Sequence, residues 1–93
     1  MAHRVVWSPR ALADVEAIAA YIASDSLAYA KAVVRKIIAS TRMLGNFPLS
    51  GRKVPELDDE SIRELFVYSY RIIYAVESGQ ITVTAVIHGK RLL

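Results

Sequence analysis

Residues 63–91 read RELFVYSYRIIYAVESGQITVTAVIHGKR, and their patterning decides the fold. Two β-forming runs, Tyr70 to Glu77 and Gln80 to His88, are separated by Ser78-Gly79. A two-residue loop with glycine suits a tight hairpin, because glycine tolerates positive φ. That loop predicts a register in which Val76 faces Ile81, Tyr74 faces Val83, Ile72 faces Ala85 and Tyr70 faces Ile87. Side chains alternate across a strand, so these eight residues share one apolar face that must be covered. With the run from Arg63 in front, the stretch reads as a three-stranded antiparallel meander.

The same register predicts an opposite face with Arg71, Ile73, Ala75 and Glu77 on one strand. Gln80, Thr82, Thr84, Val86 and His88 lie on the other. Arg71 and His88 are then diagonal neighbours, within reach of long side chains. Lys90 and Arg91 follow directly, so an imidazole and three cations are expected near one end of the uncovered face.

Upstream, His3 to Trp7 is a short strand candidate. Ser8-Pro9 opens a helix: serine caps free N–H groups, and proline is tolerated at the first helical position. Trp7 and Leu12 have the spacing of a hydrophobic staple. The helix is expected to run to about Ala23, with Leu12, Val15, Ile18, Ala19 and Ile22 as its apolar stripe. Asp25-Ser26 breaks it and caps a second helix. Ala30, Val33, Val34, Ile37, Ile38, Thr41 and Leu44 make the expected buried face of that helix, and Gly45 ends it. Residues 46–55, NFPLSGRKVP, read as a loop. The order is β-α-α-β-β-β. The expected class is α+β, a helical hairpin packed on one face of a mostly antiparallel sheet.

At 93 residues, 54% of them apolar, residues 1–93 make one domain with ample core. There is no cysteine, hence no disulfide framework and no thiolate chemistry. The N-terminal MAHRVVWSPR lacks the long apolar run of a secretory signal, and no stretch reaches the length of a membrane span. A cytosolic protein without membrane partners is the expectation. Net charge is +3, and it is unevenly placed. Residues 1–45 carry six Lys/Arg against three Asp/Glu; residues 46–93 carry six against six. The excess lies on the helical half and permits an anionic partner without selecting one.

No phosphate-binding loop, zinc-protease motif, nucleophile elbow or Cys/His metal spacing is present. His3 and His88 are far apart in sequence, with no carboxylate ligands beside them, so no metal and no cofactor is expected. His88 carries two readings: a strand-end histidine with no task, or a general acid/base near neutral pH. Arg71 is either a solvated cation or, beside His88, Lys90 and Arg91, a group that holds a phosphate. Arg52 and Lys53 join that end only if their loop folds over it. Lys31, Arg35 and Arg42 form a helical stripe, most often a solvated face. Ala13, Ala17 and Ala20 form a small-residue stripe on the first helix. Tyr70 and Tyr74 read as core, and Tyr68 as the exposed aromatic.

The segments Trp7 to Ala11 (WSPRA), Phe47 to Arg52 (FPLSGR), Ile62 to Leu65 (IREL), Tyr70 to Tyr74 (YRIIY) and Val86 to Arg91 (VIHGKR) carry a resemblance. In order and spacing they resemble the RelE/ParE toxin superfamily, the toxic half of bacterial type II toxin–antitoxin modules. RelE-like members are ribosome-dependent mRNA endonucleases that use basic residues on the sheet. ParE-like members share the fold, lack that full set and poison DNA gyrase. This chain matches the ribonuclease pattern at Arg71 and Arg91. It has no tyrosine after Arg91, and its motif set is more similar to ParE.

The resemblance therefore implies a ParE-like gyrase inhibitor with Arg71, His88, Lys90 and Arg91 as target contacts. The alternative it implies is a RelE-like endonuclease of ribosome-bound mRNA. In that alternative Arg71 and Arg91 stabilise phosphate and His88 moves protons. Both imply a ParD-like or similar cognate antitoxin whose disordered segment folds on the toxin, giving a toxin–antitoxin hetero-oligomer. The implied docking area is the basic helical hairpin and adjoining sheet.

Overall fold

The computed structural model describes residues 2–93. The elements follow the expected order with one short addition. They are β1 (Arg4–Trp7), α1 (Pro9–Ala23), α2 (Leu27–Met43), β2 (Arg52–Lys53), β3 (Ile62–Val67), β4 (Tyr70–Glu77) and β5 (Gln80–His88). The sheet order is β1-β5-β4-β3-β2. Strand β1, whose place the sequence left open, pairs parallel to β5; all other pairs are antiparallel. The two-residue β2 lies inside the stretch read as a loop and continues the sheet beside β3.

The caps form as the sequence implies. Ser8 Oγ accepts from the Ala11 amide at 3.0 Å and Ser26 Oγ from the Tyr29 amide at 3.1 Å. Each satisfies an amide that the first helical turn leaves without a partner. Both helices lie on one face of the sheet, α1 over β5 and α2 over β3. Val33 and Ile37 of α2 and Ile22 of α1 pack there against Ile72, Val83 and Val86. Leu44 closes over Tyr74 and Ile81. Two expected core positions are open instead: Leu12 on α1 is 51% exposed and Ile38 on α2 is 39% exposed. The helices present a narrower stripe to a two-layer core than periodicity alone suggests.

The central hairpin departs from its predicted register halfway along. Val76 faces Ile81 and Tyr74 faces Val83, as the Ser78-Gly79 turn dictates. The next pair is Ile73 with Ala85, so Thr84 has no partner on β4. This is a β-bulge, one extra residue on β5. From there Ile72 faces Val86 and Tyr70 faces His88, not Ala85 and Ile87. The extra residue is held by α1. Ser8 Oγ donates to the Thr84 carbonyl (3.1 Å), and the Val86 amide donates to Asp14 Oδ2 (2.9 Å). Strand β1 has ended at Trp7, and the start of the helix takes over the hydrogen bonding of the β5 edge.

The bulge exchanges faces. Val86 joins the helix-covered core, while Ala85 and Ile87 turn to the other side. That underside is not open, as the sequence reading expected. Val54 and Ile62 form a second small core with Ile73, Ala85 and Ile87. Residues 89–93 also return toward this face, where Leu92 lies near Arg71. At the same end of the sheet, before β4 begins, Tyr68 adopts φ 51° in the two-residue turn from β3. Left-handed backbone of this kind is what a tight hairpin turn requires.

Candidate functional site

Arg71 lies in β4 on the underside and is 4% exposed. Its Nε donates to Glu64 Oε1 at 2.7 Å. Its two terminal nitrogens grip both oxygens of Glu56, each at 2.9 Å, and one also donates to the Arg91 carbonyl at 2.9 Å. The planar guanidinium fits a carboxylate in this two-point way. Glu64, with no exposed side-chain surface, is shared: its second oxygen accepts from Arg52 Nε at 2.6 Å. Glu56 in turn accepts from the Leu93 amide at 3.2 Å. A chain of alternating charge thus runs Arg52, Glu64, Arg71, Glu56 and ends on the backbone of the C-terminal residues.

The Arg71 guanidinium, aided by the Leu93 amide, holds the Glu56 carboxyl down at about 2 against the opposing effect of burial. Glu56 reciprocally raises the Arg71 pKa, with Glu64 adding to the effect. Four hydrogen bonds occupy a group with five N–H donors. Arg71 is committed to the fold and has no free edge toward a phosphate.

His88 is elsewhere. The bulge turns it to the helix side, where its ring meets Tyr70 edge-on with centroids 5.8 Å apart. Its Nδ1 accepts from the Lys90 amide at 3.2 Å. It lines a depression with Asp14, Tyr21 and Arg91. The expected diagonal approach of Arg71 and His88 is therefore corrected: one extra residue places them on opposite faces. The Arg91 side chain and Lys90 are exposed, and Arg91 meets Arg71 only through its backbone carbonyl. Arg52 does reach the Arg71 end, where it binds Glu64 and stacks over Phe66 at 5.2 Å. Lys53 turns to Asp58 and Glu60 instead. Tyr74 is core as expected, at 0% exposure, and Tyr68 is exposed.

Sequence reasoning missed Glu56 and Glu64. Glu64 alternates with Arg63 and Leu65 on β3, which fixes its face once the Tyr68-Ser69 turn is known. Glu56 lies in an acidic loop and carried no such signal. The motif residues are joined through these groups. The Gly51 amide donates to Tyr74 Oη (2.9 Å), which donates to the Pro48 carbonyl (2.9 Å). A Cβ at Gly51 would lie 2.5 Å from the Glu64 carbonyl oxygen and 2.6 Å from Tyr74 Oη. The FPLSGR, IREL and YRIIY segments interlock as a structural unit.

Across the sheet, the helical hairpin bears a shallow apolar groove of about 540 Å³. Ala20, Ala23, Leu27 and Val34 line it, with Lys31 and Arg35 on its flank. Of the expected small-residue stripe, Ala20 lies in this groove and Ala17 in the depression beside His88. Among the described residues no group of three His, Cys, Asp or Glu side chains is placed to hold a metal ion. Among these residues, too, no helix is long and apolar enough to cross a membrane.

Two helices lie on a five-stranded, mostly antiparallel sheet, with these motifs interlocked beneath it. The profile described as "ParE toxin of type II toxin-antitoxin system, parDE" matches residues 5–93, and the chain belongs to that family. It is 34% identical over 90 residues to Toxin RelE2 of Caulobacter vibrioides, covering 96% of this chain and 98% of that relative. Its fold is similar to a chain of the chromosomal ParDE system from P. aeruginosa. There the TM-score is 0.75 at 19% identity, over 92% of this chain and 95% of the other.

Proposed function

We propose that this toxin acts by binding rather than by cutting: it inhibits DNA gyrase and is neutralised by a cognate antitoxin seated on the helical hairpin. The observation that carries this reading is Arg71. It is one of the two residues, with Arg91, that match the ribonuclease pattern, and it is buried in bonds to Glu56 and Glu64. A phosphate would have to displace two carboxylates from a low-dielectric site to reach it. His88 is on the other face, so no imidazole stands beside it, and the two carboxylates that do are held in bonds to its guanidinium. The antitoxin half rests on the hairpin groove. Its apolar floor suits one face of a helix, and Lys31 and Arg35 suit acidic residues along that helix's flank.

The relative bearing the name Toxin RelE2 keeps the endonuclease reading in play, and one experiment separates the two. Purified toxin is added to a gyrase supercoiling reaction and to a translating extract. The expected result is protease-released cleaved DNA with intact mRNA, unchanged in His88→Ala. Cut mRNA that disappears in His88→Ala, with gyrase unaffected, overturns the proposal.

A further inference from the structure

The two carboxylates that hold Arg71 are not equivalent. Glu64 has no exposed side-chain surface and bridges Arg71 to Arg52, so it supplies the counter-ion that a buried guanidinium needs. Glu56 is a quarter exposed and comes from the loop between β2 and β3. That loop has an anchor of its own in Val54, which is fully buried and donates its amide to the Ile62 carbonyl at 3.2 Å. Without Glu56, therefore, the loop keeps its anchor and Arg71 keeps a counter-ion. What Glu56 takes up is the terminal fork of the guanidinium, with one oxygen on each terminal nitrogen at 2.9 Å. A fork of this geometry receives two phosphate oxygens as well as two carboxylate oxygens.

The fork opens on a cleft of about 360 Å³ that Phe66, Gly89 and Leu92 line together with both arginines. Arg52 spends only its Nε on Glu64. Its terminal nitrogens have no hydrogen-bond partner among the described residues, and its guanidinium lies 5.2 Å above the Phe66 ring. With Glu56 in place, two guanidiniums meet two carboxylates and the cleft is neutral. Without it the cleft keeps one positive charge and an empty fork, which together make an anion site. We propose that Glu56 is a specificity-determining residue, whose carboxylate stands where a phosphate group would bind and keeps phosphate esters out of this cleft. The role rests on the function proposed above, in which the toxin meets a protein and not a phosphodiester. Arg71 holds the Glu56 carboxyl at about 2, so Glu56 is charged throughout the neutral range and acidification there does not lift the block. Residues 89–93 form a strap over the same cleft. Arg71 donates to the Arg91 carbonyl, and the Leu93 amide donates to Glu56, so the plug also ties down the end of the strap.

The test titrates inorganic phosphate, and separately a short single-stranded oligodeoxynucleotide, into the purified full chain. Calorimetry gives the dissociation constant, NMR of the Arg71 guanidinium nitrogens gives the place, and circular dichroism checks the fold. The parent is compared with Glu56→Ala, Glu56→Gln and Glu60→Gln. The last removes the same charge from the same loop, where Glu60 pairs with Lys53 and Arg63 and not with Arg71. In the parent, phosphate is expected to leave the Arg71 resonances unmoved. Glu56→Ala is expected to bind phosphate at least about tenfold more tightly than the parent, the scale of one charge-assisted hydrogen bond, with shifts at Arg71. Glu56→Gln should follow in smaller measure, because it loses the charge and keeps the bulk. Glu60→Gln should stay within about twofold of the parent. A gain for the oligonucleotide as well extends the block to nucleic-acid backbones; a gain for inorganic phosphate alone confines it to small phosphates. Parent-like binding by folded Glu56 variants overturns the role, and so does an equal gain in Glu60→Gln, which would be an effect of net charge. Failure of both Glu56 variants to fold overturns it too, since Glu56 would then be a brace. A parent chain that cuts mRNA in the translating extract overturns the proposed function itself, whatever the titration shows.

Discussion

Arg52, Lys53, Arg63 and Arg71 each have a carboxylate at 3.1 Å or closer. Lys31, Arg35, Lys36 and Arg42 on α2 have none within 4 Å among the described residues, and α2 contains no acidic residue. The upper face of the sheet is closed by two helices, which need no charge to hold them there. The underside is closed by loops and the C-terminal residues, whose buried apolar contribution is small, Val54 with Ile62 beside it. Ion pairs add to the joining, and Glu56, Asp58, Glu60 and Glu64 are consumed in them. The charge excess of the helical half is what remains, available to a partner.

The contrast is broken most severely at Glu64. Its carboxylate sits between two guanidiniums without exposed surface. Removing one member of a buried charged set leaves the others uncompensated, at a cost of about 3–5 kcal/mol. Glu64→Gln is therefore expected to lower the urea midpoint markedly. If the midpoint stays at the parent value, the network is not holding the underside. Reversing Lys36 and Arg42 together to Glu, by contrast, is expected to move stability by no more than about 0.5 kcal/mol.

Gly51→Ala comes next. The added methyl meets a backbone carbonyl and a buried phenol, neither of which can swing aside. Overpacking of this kind costs about 1–3 kcal/mol. A calorimetric scan with an unchanged midpoint would show that the FPLSGR loop can shift without loss, and that its glycine answers to something other than Tyr74.

Much of this was legible beforehand, and the failures share one cause. The Ser78-Gly79 turn gave the pairs nearest to it, and Ser8 and Ser26 gave both helix starts, because those signals are local. The bulge was not local. Thr84 fits the alternation of β5 as well as any threonine, and only Ser8 and Asp14, more than seventy residues away, supply the partners that stabilise an extra residue there. One trace was present. Ala85, Val86 and Ile87 are consecutive apolar residues, which is how a strand buried on both faces reads. Taken that way, the run would have implied a covered underside and a buried Arg71. The covers themselves, Val54, Glu56 and the strap, lie too far along the chain for any periodicity to place. Asp14→Ala tests the bulge directly. It leaves the Val86 amide without its partner, at about 1–3 kcal/mol, and hydrogen exchange at Val86 should accelerate more than at Ile81. Equal acceleration at both would mean that the bulge does not depend on α1.

The smallest effect expected is the one confined to acid. Glu56 is held at about 2 in the folded chain, well below its ordinary 4.5. A carboxyl whose folded pKa is depressed contributes stability that is fully present above the unfolded value. That contribution fades as pH falls through the interval from 4.5 to 2. The strap should therefore be equally secure at every pH above about 5, so neutral-range acidification leaves Glu56 in place on Arg71. Glu56→Gln removes this dependence. Its urea midpoint should lie below the parent's at pH 7 and approach it near pH 2. Glu56 is a quarter exposed, so solvent weakens the pair and the gap is modest. A gap that stays the same from pH 7 to pH 2 would mean that the Glu56 charge contributes nothing to the fold, and that Arg71 draws its compensation from Glu64 alone.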